Sequence, residues 1–227
     1  MTAVDTTGPD QLAARILSGA LMLAAVAVAV QAVVDLFDLW ALEREVELLL
    51  ADSDVSVFSW VSVVATAWAA LGAGLLSLVD RARRKLLLFV AAIAAYLSLD
   101  DQLGLHERLG DLADRAEGLA GWEPARVLWP ILYLPLLAAL FAALWKLAET
   151  LPRRASRFVL AGLVLLGAAV LLELLSAGII RAGFDRGSVL YELEVLLEEG
   201  AELAGWILIA GAFLSAFVLG LREPQAP

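Results

Sequence analysis

Cysteine is absent from the 227 residues and histidine occurs once, as His106. Without thiols there is no disulfide framework, no thiolate nucleophile and no cysteine-type zinc or iron–sulfur site. Basic residues are scarce as well: 16 Lys and Arg stand against 26 Asp and Glu, for a formal net charge of -10. A chain of that sign repels nucleic acid and anionic lipid, both polyanions, and has cations as its natural partners. Long polar stretches are missing too. Hydrophobic residues make up 62% of the chain and the mean hydropathy is +0.85, whereas a soluble domain is roughly half apolar. The composition is that of an integral membrane protein whose first partner is the lipid bilayer. Residues 1–11 carry neither a basic region nor a small-residue cleavage pattern, so the first apolar segment reads as a retained span and not as a removable signal.

A bilayer core of about 30 Å takes roughly 20 apolar residues of helix. Six segments reach that length, near 14–34, 57–79, 86–105, 127–147, 158–180 and 201–221. None alternates in polarity as a barrel strand does, and backbone groups in lipid must be satisfied within their own segment. The expected fold is therefore all-α, a single polytopic membrane domain built as a bundle of six transmembrane helices. Arg81, Arg83, Arg84 and Lys85 lie between the second and third spans, and Lys146, Arg153, Arg154 and Arg157 flank the connection after the fourth. The positive-inside rule places both connections, and with them Arg15, Arg222 and both termini, in the cytoplasm of a multi-pass bacterial inner-membrane protein.

The other three connections are acidic and are expected outside. The first holds Asp35, Asp38, Glu43, Glu45, Glu47, Asp52 and Asp54, and its residues 36–50 place Leu39, Leu42, Val46 and Leu49 at helical spacing. That pattern suggests an amphipathic outer segment between helices 1 and 2. Trp40, Trp60, Trp122, Trp129 and Trp206 fall near the outer boundary, as an aromatic belt would. Gly72 and Gly74, with their small neighbours Ala69, Ala70 and Ala73, offer a place for close helix approach.

Ionisable residues inside apolar runs are costly and mark functional sites by default. Asp100 and Asp101 end the third apolar run, with His106 and Glu107 just beyond. Glu173 interrupts the run Leu171-Leu172-Glu173-Leu174-Leu175 with no basic residue close by in sequence. Counting from the basic ends at about 1.5 Å per residue brings Asp100, Asp101 and Glu173 to one depth in the outer half. Glu198, Glu199 and Glu202 enter the same layer from the start of the sixth span, with Glu194 one turn above. So many carboxylates need protons, basic partners or a cation to coexist in a low dielectric. The candidate metal ligands are therefore Asp100, Asp101, His106, Glu107, Glu173, Glu198, Glu199 and Glu202. Oxygens with one imidazole suit Mn, Fe or Zn, and an all-oxygen subset suits Ca or Mg. A di-iron centre of the usual helical kind draws on two Glu-x-x-His motifs, which this sequence does not contain.

Membrane hydrolases of the alkaline ceramidase type bind zinc near one membrane face through three histidines, with a serine and an aspartate; with His106 alone, the chain departs from that pattern at the ligands. The strings Leu97-Ser98-Leu99-Asp100-Asp101, His106-Glu107 and Leu197-Glu198-Glu199-Gly200-Ala201-Glu202 resemble those of uncharacterised bacterial multi-span proteins, which implies no activity. The leading expectation is a carboxylate and histidine cluster that faces outward. It would bind a divalent cation or exchange protons, in cation transport or sensing. The alternatives are a membrane-embedded metal-dependent enzyme acting on a lipid-like substrate and a non-catalytic scaffold subunit.

Overall fold

The computed structural model describes residues 8–42, 46–50, 56–105, 108, 125–181 and 189–221, with side chains throughout except at 39, 47, 125–131 and 176–181. Six long helices account for nearly all of them: α1 Gly8–Ala41, α2 Val57–Val79, α3 Arg84–Leu103, α4 Ala125–Thr150, α5 Arg153–Arg181 and α6 Val189–Gly220. A single 3-10 turn, Glu47–Leu49, follows α1, and there is no strand among the described residues. All six helices are long and apolar enough to cross a membrane, which fits a multi-pass membrane protein.

Two helices run well past the spans expected from hydropathy. α1 continues to Ala41, so the first part of the expected amphipathic segment is the end of the first long helix. α6 begins at Val189, about three turns earlier than an apolar window would start it. In both cases hydropathy falls at the first acid while the helical burial pattern continues. In α1 the buried positions Ala13, Leu17, Ala24, Gln31, Asp35 and Asp38 keep to one stripe, spaced by the three, four and seven residues that share a helix face. In α6 the opening residues Val189 to Glu199 are rich in Leu and Glu, both good helix formers. At about 1.5 Å per residue α1 and α6 are each close to 50 Å long, so they overreach a hydrocarbon core of about 30 Å.

α6 is the hub of the bundle. It packs on α1, α2 and α5; α5 also packs on α4, and α3 lies against α2 and α4. Burial follows from this order: 67% of the apolar window of α6 is buried inside the protein, against 22% for α1, which touches the bundle along one stripe. Small residues allow the close crossings. A methyl group added at Gly162 of α5 would meet the Gly205 carbonyl and Ile209 of α6, and one at Gly211 of α6 would run into Ala20 of α1. Gly72 of α2 packs on Phe213 of α6 as the small-residue pattern anticipates, while Gly74 has open space around it. These contacts also fix direction. Ala20 lies by Gly211 and Val28 by Gly200, so α1 and α6 are antiparallel; Gly72 lies by Phe213 and Gly220 by Val79, so α2 and α6 are parallel.

The chain therefore runs up and down, and the start of α1 and the end of α6 lie at the same end of the bundle as the α2–α3 and α4–α5 turns. Arg83 secures that end. Its guanidinium pairs with Asp80, its backbone N–H donates to Asp80 Oδ1 at 3.0 Å, and its Nη1 donates to the Thr150 carbonyl at 2.6 Å. The last of these satisfies one of the carbonyls left open at the C-terminus of α4. At the opposite end α3 stops at Gly104, whose φ of 57° is the left-handed cap conformation that glycine adopts at least cost.

Candidate functional site

The structure divides the acids expected in one layer between two groups at the end of the bundle away from the basic turns. The first lies between α3 and α4. Tyr96 and Asp100 are four residues apart and share a face of α3, which the sequence pattern alone places together. Tyr133 of α4 joins them: its hydroxyl donates to Asp100 Oδ1 at 2.7 Å, and the Tyr96 and Tyr133 hydroxyls are 2.7 Å apart. Because Tyr133 gives its proton to the carboxylate, its oxygen accepts from Tyr96. A directed chain results, Tyr96 to Tyr133 to Asp100, with the two rings stacked at 6.2 Å. Asp100 and Tyr133 are buried, whereas Tyr96 is 39% exposed on the side of the bundle. Midway between Tyr96 and Asp100, two residues from each, Ser98 donates to the Val63 carbonyl at 3.0 Å and ties α3 to α2.

The second group lies in the α5–α6 seam. Glu198, Glu202 and Trp206 recur every four residues on one face of α6. Glu173 meets them from α5, close enough to both Glu198 and Glu202 to interact electrostatically. The charged neighbours of Glu198 among the described residues are Glu173, Glu194 and Glu199, all acids. Trp206 closes the inner side. Its indole Nε1 donates to Glu202 Oε1 at 3.3 Å, and at 3% exposure it is a core residue. The aromatic-belt assignment fails for this tryptophan, although Trp40 and Trp60 are exposed as a belt requires.

Acids brought together in a low dielectric repel one another unless protons or cations compensate them.

Of the eight ligands expected from sequence, Glu173, Glu198 and Glu202 come together in the seam, and Asp100 belongs to the tyrosine chain. Asp101 and Glu199 are half-buried on α3 and α6, each with interactions of its own. His106 and Glu107 lie outside the described residues. Glu198 and Glu199 sit in the third turn of α6 and not at its solvated start. Among the described residues no three His, Cys, Asp or Glu side chains form a group that could hold a metal ion.

Sequence reasoning missed the polar residues of α1. Gln31, Asp35 and Asp38 are all buried, although both aspartates read as part of an external acidic connection. The signal was present in Gln31, a lone amide in the run Val28-Ala29-Val30-Gln31-Ala32-Val33, with Asp35 and Asp38 four and seven residues further on. Tyr133 was also missed; nothing local to it marks it, and only the α3–α4 contact brings it to Asp100.

No curated protein and no solved structure matches the chain. Residues 20–216, which include every residue of both groups, match the family described as domain of unknown function DUF8692, and the chain belongs to that family.

Proposed function

We propose that this is a six-span membrane protein whose α5–α6 acid pair exchanges protons and cations, in cation transport or sensing. The observation that carries the reading is the approach of Glu173 on α5 to Glu198 and Glu202 on α6. Such a pair of carboxyl groups would take up a proton or a cation and exchange one for the other. Enclosure in the seam favours that exchange, because two bare carboxylates in a low dielectric repel strongly. A divalent ion would complete its shell with water. The basic turns and both termini would face the cytoplasm under the positive-inside rule, and the acid pair would sit in the outer half of the bilayer.

Purified protein in liposomes that enclose a pH-sensitive dye tests the reading. The wild type should move protons when a gradient of Na+, K+, Mg2+, Ca2+ or Mn2+ is imposed, and Glu173→Gln and Glu198→Gln should each slow this at least tenfold. Glu149→Gln, at the far end of α4, should not. Equal rates in all four proteins would end the proposal.

A second reading, an enzyme acting on a lipid-like substrate that arrives from the side, draws on the Tyr96–Tyr133–Asp100 chain. Its exposed end opens on the flank of the bundle, where a bilayer lipid would approach. Mass spectrometry of lipids incubated with wild type and with Asp100→Asn checks it: a product made by the first and not by the second would favour this reading.

A further inference from the structure

We infer that the α1–α6 seam contains a second site, separate from the Glu173–Glu198 pair, that binds a monovalent inorganic cation at Asp38. Asp38 has 0% exposure, and neither of its carboxylate oxygens has a hydrogen-bond partner. Two turns away on the same stripe, Gln31 is 1% exposed and its Oε1 is likewise without a partner. Asp35 lies between them, buried and with interactions of its own. The three side chains form a row of oxygens spaced by about 6 and 4.5 Å along the helix axis.

Neither protonation state of Asp38 finds a hydrogen-bond partner among the described residues. An ionised carboxylate enclosed without a donor or counter-charge costs several kcal/mol. A protonated one would still leave an O–H donor and a carbonyl oxygen unmatched. The helices do not supply the missing charge. Asp38 stands one turn from the C-terminus of α1, the negative end of that helix dipole, and the last turn of α1 has no basic residue. The start of α6 lies at the same level by the Ala20–Gly211 and Val28–Gly200 register, and it donates no hydrogen bond to this carboxylate. The buried polar residues there, Tyr191, Glu192 and Glu194, add acid and not base. A cation satisfies both oxygens at once.

The charge of the ion follows from the donors. Divalent sites collect several carboxylates, and no group of three acids suited to a metal occurs among the described residues. Asp38 is the one acid of this row with both oxygens recorded without a hydrogen bond, and a single carboxylate matches a single positive charge. The two seams are distinct surfaces of α6: Gly200 faces α1 and Gly205 faces α5, about 140° apart around the helix.

The test is thermal unfolding of the full chain in detergent, in NaCl, KCl or choline chloride at one ionic strength. Na+ or K+ should raise the wild-type melting temperature over choline by about 5–10 °C at saturation. Asp38→Asn should lose that rise, and Glu173→Gln should keep it, which separates this site from the α5–α6 pair. Titration calorimetry of the wild type with NaCl and KCl reads the same binding without any variant, so a poorly folding Asp38→Asn does not remove the test. The inference is overturned if wild type melts alike in all three salts and gives no binding heat. It is also overturned if Asp38→Asn keeps the full rise, or if only Mg2+ or Ca2+ stabilises the wild type.

Discussion

The α5–α6 crossing, where the obstacle is backbone, gives a sharp test of the packing. At Gly162 an added Cβ would lie 2.6 Å from Ile209 Cγ1 and 2.7 Å from the Gly205 carbonyl oxygen, where relaxed contacts between carbons fall at about 3.5–4.0 Å. The Ile209 side chain can rotate away, but the carbonyl belongs to the backbone of α6. Gly162→Ala must therefore push α5 from α6 by roughly 0.7 Å, a gap that forfeits a quarter to a half of each dispersion contact along the crossing. Overpacking of this kind costs about 1–3 kcal/mol. The control is Gly74→Ala on α2, which meets nothing within 4 Å. Both substitutions share the intrinsic gain of roughly 1 kcal/mol for replacing glycine inside a helix, so the difference between the variants isolates the clash. At about 2–4 °C per kcal/mol for a chain of this size, Gly162→Ala should melt on the order of 5 °C below Gly74→Ala in the same detergent. Equal melting temperatures would refute the crossing. The same displacement acts on Glu173 and Glu198, which lie further along this seam, so Gly162→Ala should also slow proton exchange in liposomes.

Three further outcomes follow from individual contacts. Tyr133→Phe removes the donor to the buried Asp100 carboxylate and should cost about 1 kcal/mol, read as a lower melting temperature; Tyr96→Phe, which leaves that bond in place, should cost less. Arg83→Gln breaks the ion pair with Asp80 and the bond to the Thr150 carbonyl. It should lower stability by about 1 kcal/mol, because the side chain is partly exposed, and Arg83→Lys should not restore it, since an ammonium lacks the fork that spans both partners. The absence of native cysteine makes labelling of single introduced thiols unambiguous. Arg81→Cys and Arg154→Cys should react with an impermeant reagent from one side of the membrane and Leu48→Cys from the other; reaction of all three from the same side would refute the up-and-down order.

The sequence by itself determined the class of the protein and the number of its long helices. Both depend on local quantities, the length and polarity of each segment, which do not wait on packing. It also singled out Glu173, because one acid in the middle of a leucine run is costly wherever the helix goes. Hydropathy misjudged the ends of α1 and α6 for a related reason. It ends a span where polarity rises, whereas a helix ends where its backbone does. Gln31, Asp35 and Asp38 were legible as a stripe but were divided at the first acid.

Only the tertiary structure decided which acids meet. Depth along a helix is additive and can be counted, so placing Asp100, Glu173 and Glu198 toward one end of the bundle needed no coordinates. Lateral neighbourhood depends on the order of helices around the bundle, and that order is fixed by where small residues admit close contact: Gly162 and Gly205 between α5 and α6, Gly72 between α2 and α6, and Gly211 between α1 and α6. These contacts make α6 the hub, give Glu198 to Glu173 and leave Asp100 to Tyr133.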